Sequence, residues 1–146
     1  MTTTTEFVDT ARDVEFSQVE FPVGDDLALS RATDFYTGLG FDLNADFSSD
    51  ECSCIVISET IFVMLLVRDR FADFTAGPVG DPRAGTTVIN CLSAASRGEV
   101  DDLVTRALAH GGKPWLDKIS DGPMYGHSFA DPDGHVWEVL FMEMTA

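Results

Sequence analysis

The sequence predicts an α+β fold, a single domain built from two βαβββ modules. Three observations carry this. The same order of apolar patterns occurs twice; period-2 runs outnumber period-3.6 runs; and the second copy follows the first at an offset of 72 or 73 residues. With 146 residues and 45% apolar content, the chain is long enough to bury one real core. A ferredoxin-like split βαβ is the architectural rival, and it explains the strand count less well.

The first module spans about residues 15–67. Residues 15–23 alternate Val19, Phe21 and Val23 and predict a strand. Asp25-Asp26 supplies an N-cap, and Leu29, Ala32, Phe35, Tyr36 and Leu39 form the apolar face of a helix that Gly38 and Gly40 end. Strands are predicted at 41–47, 54–58 and 61–67, with Glu59-Thr60 as a tight turn between the last two. Residues 68–85 join the modules, and the breaker-rich part 71–85 carries Phe71 and Phe74 beside Gly77-Pro78.

The second module, about 86–142, repeats the plan. A strand is predicted at 86–94. Ser96 with Glu99 forms a capping box, and Val100, Leu103, Val104, Ala107 and Leu108 form the helical face. Gly111-Gly112 close that helix; strands follow at 113–116, 125–130 and 135–142. The offset sets Gly40 on Gly112, Ala32 on Val104, Phe35 on Ala107 and Tyr36 on Leu108. Residues 1–14 read as a flexible leader, with no basic start and no apolar segment.

The formal charge is −16, Asp provides 17 of 25 acids, and the only lysines are Lys113 and Lys118. A field of that sign opposes nucleic acid and anionic lipid and favours cations. The longest apolar run, 61–67, is too short to span a bilayer. A cytoplasmic location follows as the expectation. Cys52, Cys54 and Cys91 are odd in number and imply no disulfide framework; Cys52-x-Cys54 could suggest a metal, but the segment from Cys54 reads as a strand and two ligands alone do not make a zinc site, so they read as buried thiols.

The sharpest feature is Glu138. Alternation sets Trp137, Val139 and Phe141 on one face of the last strand, and Val136, Glu138, Leu140 and Met142 on the other. A carboxylate among such neighbours needs a cation or donors, or it neutralises itself. Asp131-Pro132-Asp133-Gly134 reads as a turn, with His135 serving that turn and its exposed edge. Tyr125 and His127 share one strand face. They are candidate ligand-binding residues if that face lines a cavity, and surface decoration otherwise. Trp137, Phe141, Phe62 and Met64 read as core. Trp115 is a candidate for a dimer contact or a cavity lip.

The segments DFYTGLGFDL, SETIFVMLL, MYGHSF and FADPDGHVWEVLFM resemble the vicinal-oxygen-chelate superfamily of glyoxalases, bleomycin-resistance proteins and extradiol dioxygenases. The second and third look like a glyoxalase-like subgroup within it. The resemblance implies paired βαβββ modules curling around a shared cavity, a homodimer, and in many members one divalent ion (Mn, Fe, Ni or Zn). Four side chains hold that ion, from the first and last strands of each module.

The resemblance carries over these positions one at a time. The closing-strand glutamate is Glu138. The first ligand falls on Gln18, just before the run VEFPVGD. The second falls on Met64, with Leu65 or Leu66 if the turn differs. The third falls on Thr87, with Thr86, Val88 and Ile89 as neighbours. Only Glu138 is a good ligand for such an ion. The expectation is therefore a degenerate metal site with no cofactor, and a small organic molecule bound in a largely apolar cavity with Gln18, Thr87 and Glu138 as its polar floor. In that setting Glu138 is a remnant receiving hydrogen bonds from Gln18 and Thr87, a wetted structural carboxylate, or a general acid or base. A metal-dependent lyase, isomerase or dioxygenase is the alternative, and a drug-binding resistance protein is the second.

Overall fold

The computed structural model describes residues 12–143, so the 1–14 leader lies almost wholly outside the described residues. The chain forms β1 (Ser17–Val23), α1 (Asp26–Gly38), β2 (Asp42–Asn44), a 3-10 turn (Ala45–Phe47), β3 (Cys52–Ser58) and β4 (Ile61–Val67). A short α2 (Arg68–Ala72) precedes the long loop. Then come β5 (Ile89–Ser93), α3 (Arg97–Ala109), β6 (Lys113–Pro114), β7 (Ile119–Asp121), β8 (Met124–Ala130) and β9 (Val136–Met142).

Each module has its own sheet. The first has the order β1-β4-β3-β2, and the second β5-β9-β8-β6 with β7 also on β8. In each, the first strand runs parallel to the last and the others are antiparallel, so Glu20 faces Met64 across the ladder and Cys91 faces Glu138. The two α+β modules predicted from the sequence are thus present.

Alternation explains which face closes. Phe21, Val23, Ile55, Val63 and Leu65 in module one, and Phe129, Trp137 and Val139 in module two, point toward the helices and join one buried core. Both helices start where side-chain caps place them: Asp25 accepts from Ala28 N at 2.9 Å, and Ser96 Oγ from Glu99 N at 3.1 Å. Glu99 Oε2 in turn accepts from Ala95 N at 3.2 Å, one residue before the cap.

The register corrects the repeat. The N-caps Asp25 and Ser96 lie 71 apart, as do Gly40 (φ +106°) and Gly111 (φ +103°), the residues that turn left-handed after each helix. Gly40 therefore corresponds to Gly111 rather than Gly112, and Tyr36 to Ala107, both fully buried, rather than to Leu108, which is 41% exposed. Gly112 is required for a different reason: a Cβ there would sit 2.8 Å from Ala107 O and 2.9 Å from a Phe35 ring carbon. By the last strands three extra residues have accumulated, and Val63 matches Trp137 and Leu65 matches Val139.

Several predicted bounds are corrected. Strand 41–47 stops at Asn44, because the Asn44 side chain accepts from Asp46 N at 3.0 Å and caps the 3-10 turn. Strand 86–94 begins only at Ile89, leaving Thr87 in the loop. Strand 113–116 shrinks to two residues, since Leu116 N turns away to donate to Ser128 Oγ at 3.0 Å. The linker opens with α2. No helix among the described residues is long and apolar enough to cross a membrane.

Candidate functional site at the seam between the modules

The modules meet where β1 and α1 pack against β9 and the turn before it, and polar and aromatic groups lock this seam. Tyr36 on α1 donates to Asp131 Oδ2 at 2.6 Å and accepts from Trp137 Nε1 at 2.9 Å. All three are buried, and burial beside Asp131 holds the Tyr36 phenol well above its ordinary pKa. Asp131 Oδ1 also accepts from the backbone of Asp133 and His135, each at 2.9 Å, which shapes the predicted turn.

His135 corrects its sequence reading as a residue of an exposed edge. Its ring stacks on Phe21 at 4.2 Å between centroids, and its Nε2 donates to Pro22 O at 2.9 Å. Asp133, 5% exposed, receives Arg31 Nη2 at 2.9 Å on Oδ1, with Arg83 at 3.9 Å, while its Oδ2 is buried without a partner. Burial and the neighbouring Asp131 raise the Asp133 carboxyl, and Arg31 offsets only part of this.

Two open grooves flank the seam. The larger, about 920 Å³, is floored by Val19, Leu39, Val63, Leu92, Leu103 and Trp137, with the Asp102–Arg106 pair (3.4 Å) on its rim. The smaller, about 320 Å³, lies under the long loop; Glu20, Phe71, Thr87, Asn90 and His135 are among its walls. Arg68 tethers that loop by donating to Val79 O at 2.6 Å and Gly80 O at 3.2 Å, and Arg83 pins its end to Pro132 O at 3.2 Å.

The sequence-predicted residues are dispersed. Glu138 is half-buried on the face turned away from α3, between Cys91 on β5 and Ser128 on β8, and it lines neither groove. Gln18 shares the corresponding face of module one, but its amide donates to Glu20 Oε2 at 3.2 Å rather than to Glu138. Met64 sits between Glu20 and Cys54. By the 71-residue offset of the first strands, the counterpart of Gln18 is Ile89, 53% exposed, and Thr87 precedes it on the loop. Tyr125 and His127 lie on the opposite, helix-facing side of β8: Tyr125 donates to Asp101 Oδ1 of α3 at 2.7 Å, with Lys118 Nζ 3.3 Å from the same oxygen. Those hydrogen bonds from Tyr125 and Lys118 hold the Asp101 carboxyl below its ordinary range. Strand β8 thus separates Tyr125 and His127 from Glu138.

Sequence reasoning missed Glu20, Cys91 and the seam group of Arg31, Asp131 and Asp133. Glu20 was within reach, since it shares the parity of Gln18. The donor chemistry around Glu138 is poor for a divalent ion. The family-equivalent positions offer one carboxylate, one amide, one thioether and one aliphatic side chain. Among the described residues, no three His, Cys, Asp or Glu side chains gather as a metal would need. The residues present therefore do not fit the family's ion.

A fold of two parallel-edged βαβββ modules sharing one core defines the class. Residues 16–139 match the Glyoxalase/Bleomycin resistance protein/Dioxygenase superfamily, and the chain belongs to it. The structure is similar to hypothetical protein SA1046 from S. aureus, with 25% identity, a TM-score of 0.73, and 89% of this chain and 95% of that one covered. Two more distant neighbours share the fold. Fosfomycin resistance protein FosX from Mesorhizobium loti has 16% identity and a TM-score of 0.64, over 89% of this chain and 93% of that one. Lactoylglutathione lyase from Agrobacterium tumefaciens has 18% identity and a TM-score of 0.64, over 89% and 95%. No curated protein matches the sequence significantly.

Proposed function

We propose that this chain binds a small organic molecule in the larger groove at the module seam and does so without a resident divalent ion. The observation that carries this is the donor set at Gln18, Met64, Ile89 and Glu138, where one good ligand stands in place of four. An open catalytic site keeps about three good protein ligands. The groove supports the binding half of the reading: about 920 Å³ lies within the range of small-molecule sites, and its floor is aliphatic and indole surface. Glu138 acts here as a half-buried structural carboxylate beside Ser128 and Cys91.

Homodimerisation and a cytoplasmic location belong to the same proposal. Ile61, Ile89 and Met142 are each 46% exposed or more, which favours cover by a second copy. The formal charge of −16 favours cationic aromatic ligands over anionic ones.

The test is thermal shift against a panel of small apolar, anionic and cationic aromatic compounds, with Leu103→Glu as the groove-blocked control. A ligand that raises Tm of the parent and not of Leu103→Glu supports the assignment. Equal shifts in both would place binding elsewhere. Turnover of a hemithioacetal or a catechol after Mn or Ni loading would replace this reading with that of a metal-dependent enzyme.

A further inference from the structure

Three sulfur-bearing side chains occupy adjacent places on the open face of module one, away from both grooves. Cys52 and Cys54 alternate on β3 and so point the same way, and Met64 on β4 is the ladder partner of Cys54. Ile55, of the opposite parity, is fully buried against the helix side, which fixes the thiols to the other face. Alternate residues on a strand stand about 6.7 Å apart at Cα. Directly opposed residues have Cβ atoms about 5 Å apart. Two thiol arms on one strand and a flexible thioether on the next can therefore close on one ion at metal–sulfur distances of about 2.3 Å.

The surroundings suit a soft ion. Cys54 is buried, whereas Cys52 is half-buried, with its Sγ 3.5 Å from Ser49 Oγ and 3.7 Å from Phe47 O at the lip of the 3-10 turn. Cys52 is therefore not sealed in the core. Glu20 flanks Met64 on the same face, but among the described residues no three His, Cys, Asp or Glu side chains gather there, so hard or borderline ions find too few donors.

We propose that Cys52, Cys54 and Met64 form a binding site for a soft thiophilic cation, with Cu(I) as its chemical type. Each thiol gives up its proton on binding, so two protons leave for every ion taken up, and affinity rises with pH. The thioether completes a three-sulfur set without adding charge. The site takes an ion of different hardness from that of the family, and it draws two of its three ligands from β3. No oxidation or reduction is involved.

The test is anaerobic titration of the reduced full-length protein with Cu(I) against bicinchoninate as competitor. One ion per chain is expected. Cys52→Ser should weaken affinity at least a hundredfold, Met64→Leu about tenfold, and Cys91→Ser not at all. Cys52 is half-buried, so its serine variant should keep the parent's melting curve, which separates lost ligation from lost fold. Failure of the parent to take Cu(I) from the competitor would overturn the proposal. So would parental affinity in Cys52→Ser or Met64→Leu, or loss of binding in Cys91→Ser.

Discussion

Module one sets Glu20, Met64 and Cys54 side by side across its open face, where module two sets Cys91, Glu138 and Ser128. The two rows occupy equivalent places in equivalent ladders. On the helix-facing side the same comparison finds Ile55 against Phe129, Val63 against Trp137 and Leu65 against Val139, all buried. The two faces of each strand are under different constraints. The helix-facing positions must exclude water to hold one shared core. On the open face only Cys54 and Ser128 of these six are buried, and there the acid has changed strand between the modules, from the first to the last. With the acids in non-equivalent places, neither row offers an ion a second carboxylate, and thiol or thioether sulfur takes up the vacated positions.

The largest effects are expected where the core is cut on each side. Phe129→Ala should cost about 3–5 kcal/mol and Ile55→Ala about 2–5 kcal/mol. Because both side chains enter one cluster, denaturant unfolding of either variant should remain a single shifted transition. Two resolved transitions would show that the modules fold separately.

The seam sharpens the point. Tyr36→Phe leaves an Asp131 oxygen and the Trp137 N–H without their shared hydroxyl, at a cost of about 1–3 kcal/mol. A loss well under that, measured by the same unfolding curves, would mean the seam is not held by this group.

Asp133 gives a pH test. Its folded pKa lies above the unfolded value because burial and Asp131 outweigh Arg31, with Arg83 and His135 also facing it. The folded state therefore binds this proton more readily than the unfolded chain. Stability relative to Asp133→Asn should rise as pH falls through the folded pKa, and level off below the ordinary carboxylate range. A difference that is flat with pH would contradict the burial argument.

The smallest effect is expected at Asp101, whose carboxyl is lowered chiefly by the Tyr125 hydroxyl. In Tyr125→Phe its NMR titration should move up toward the ordinary value, while Tm barely moves at this exposed site. Asp101 contributes stability above its unfolded pKa and loses it as pH falls through the folded one, so any change in the variant should appear only in acid.

Much of this was legible from residues alone. The caps at Asp25 and Ser96, and the parity that separates Glu138 from Trp137 and Val139, are local signals, and the structure carries each of them. The side chosen by Tyr125 and His127 was also written in the chain. Phe129 shares their parity, and so large an apolar group belongs against the helix. What the chain could not declare was long-range. His135 reaches Pro22 and Phe21 across 113 and 114 positions, and Arg31 reaches Asp133 across 102. Neither contact leaves a periodic trace. The three-residue slip between the repeat's first and last strands was hidden for the same reason, since only ladder pairing shows where residues were added. Strand β7, exposed along its whole length, has no buried face to betray it.

Glu138 lacks the company to hold a divalent ion. Calorimetric titration of the metal-free protein with Mn(II) and with Ni(II), alongside Glu138→Gln, tests it most directly. No stoichiometric uptake is expected in the parent, and indistinguishable traces in the variant. One tightly bound ion per chain, lost on replacing Glu138, would contradict it.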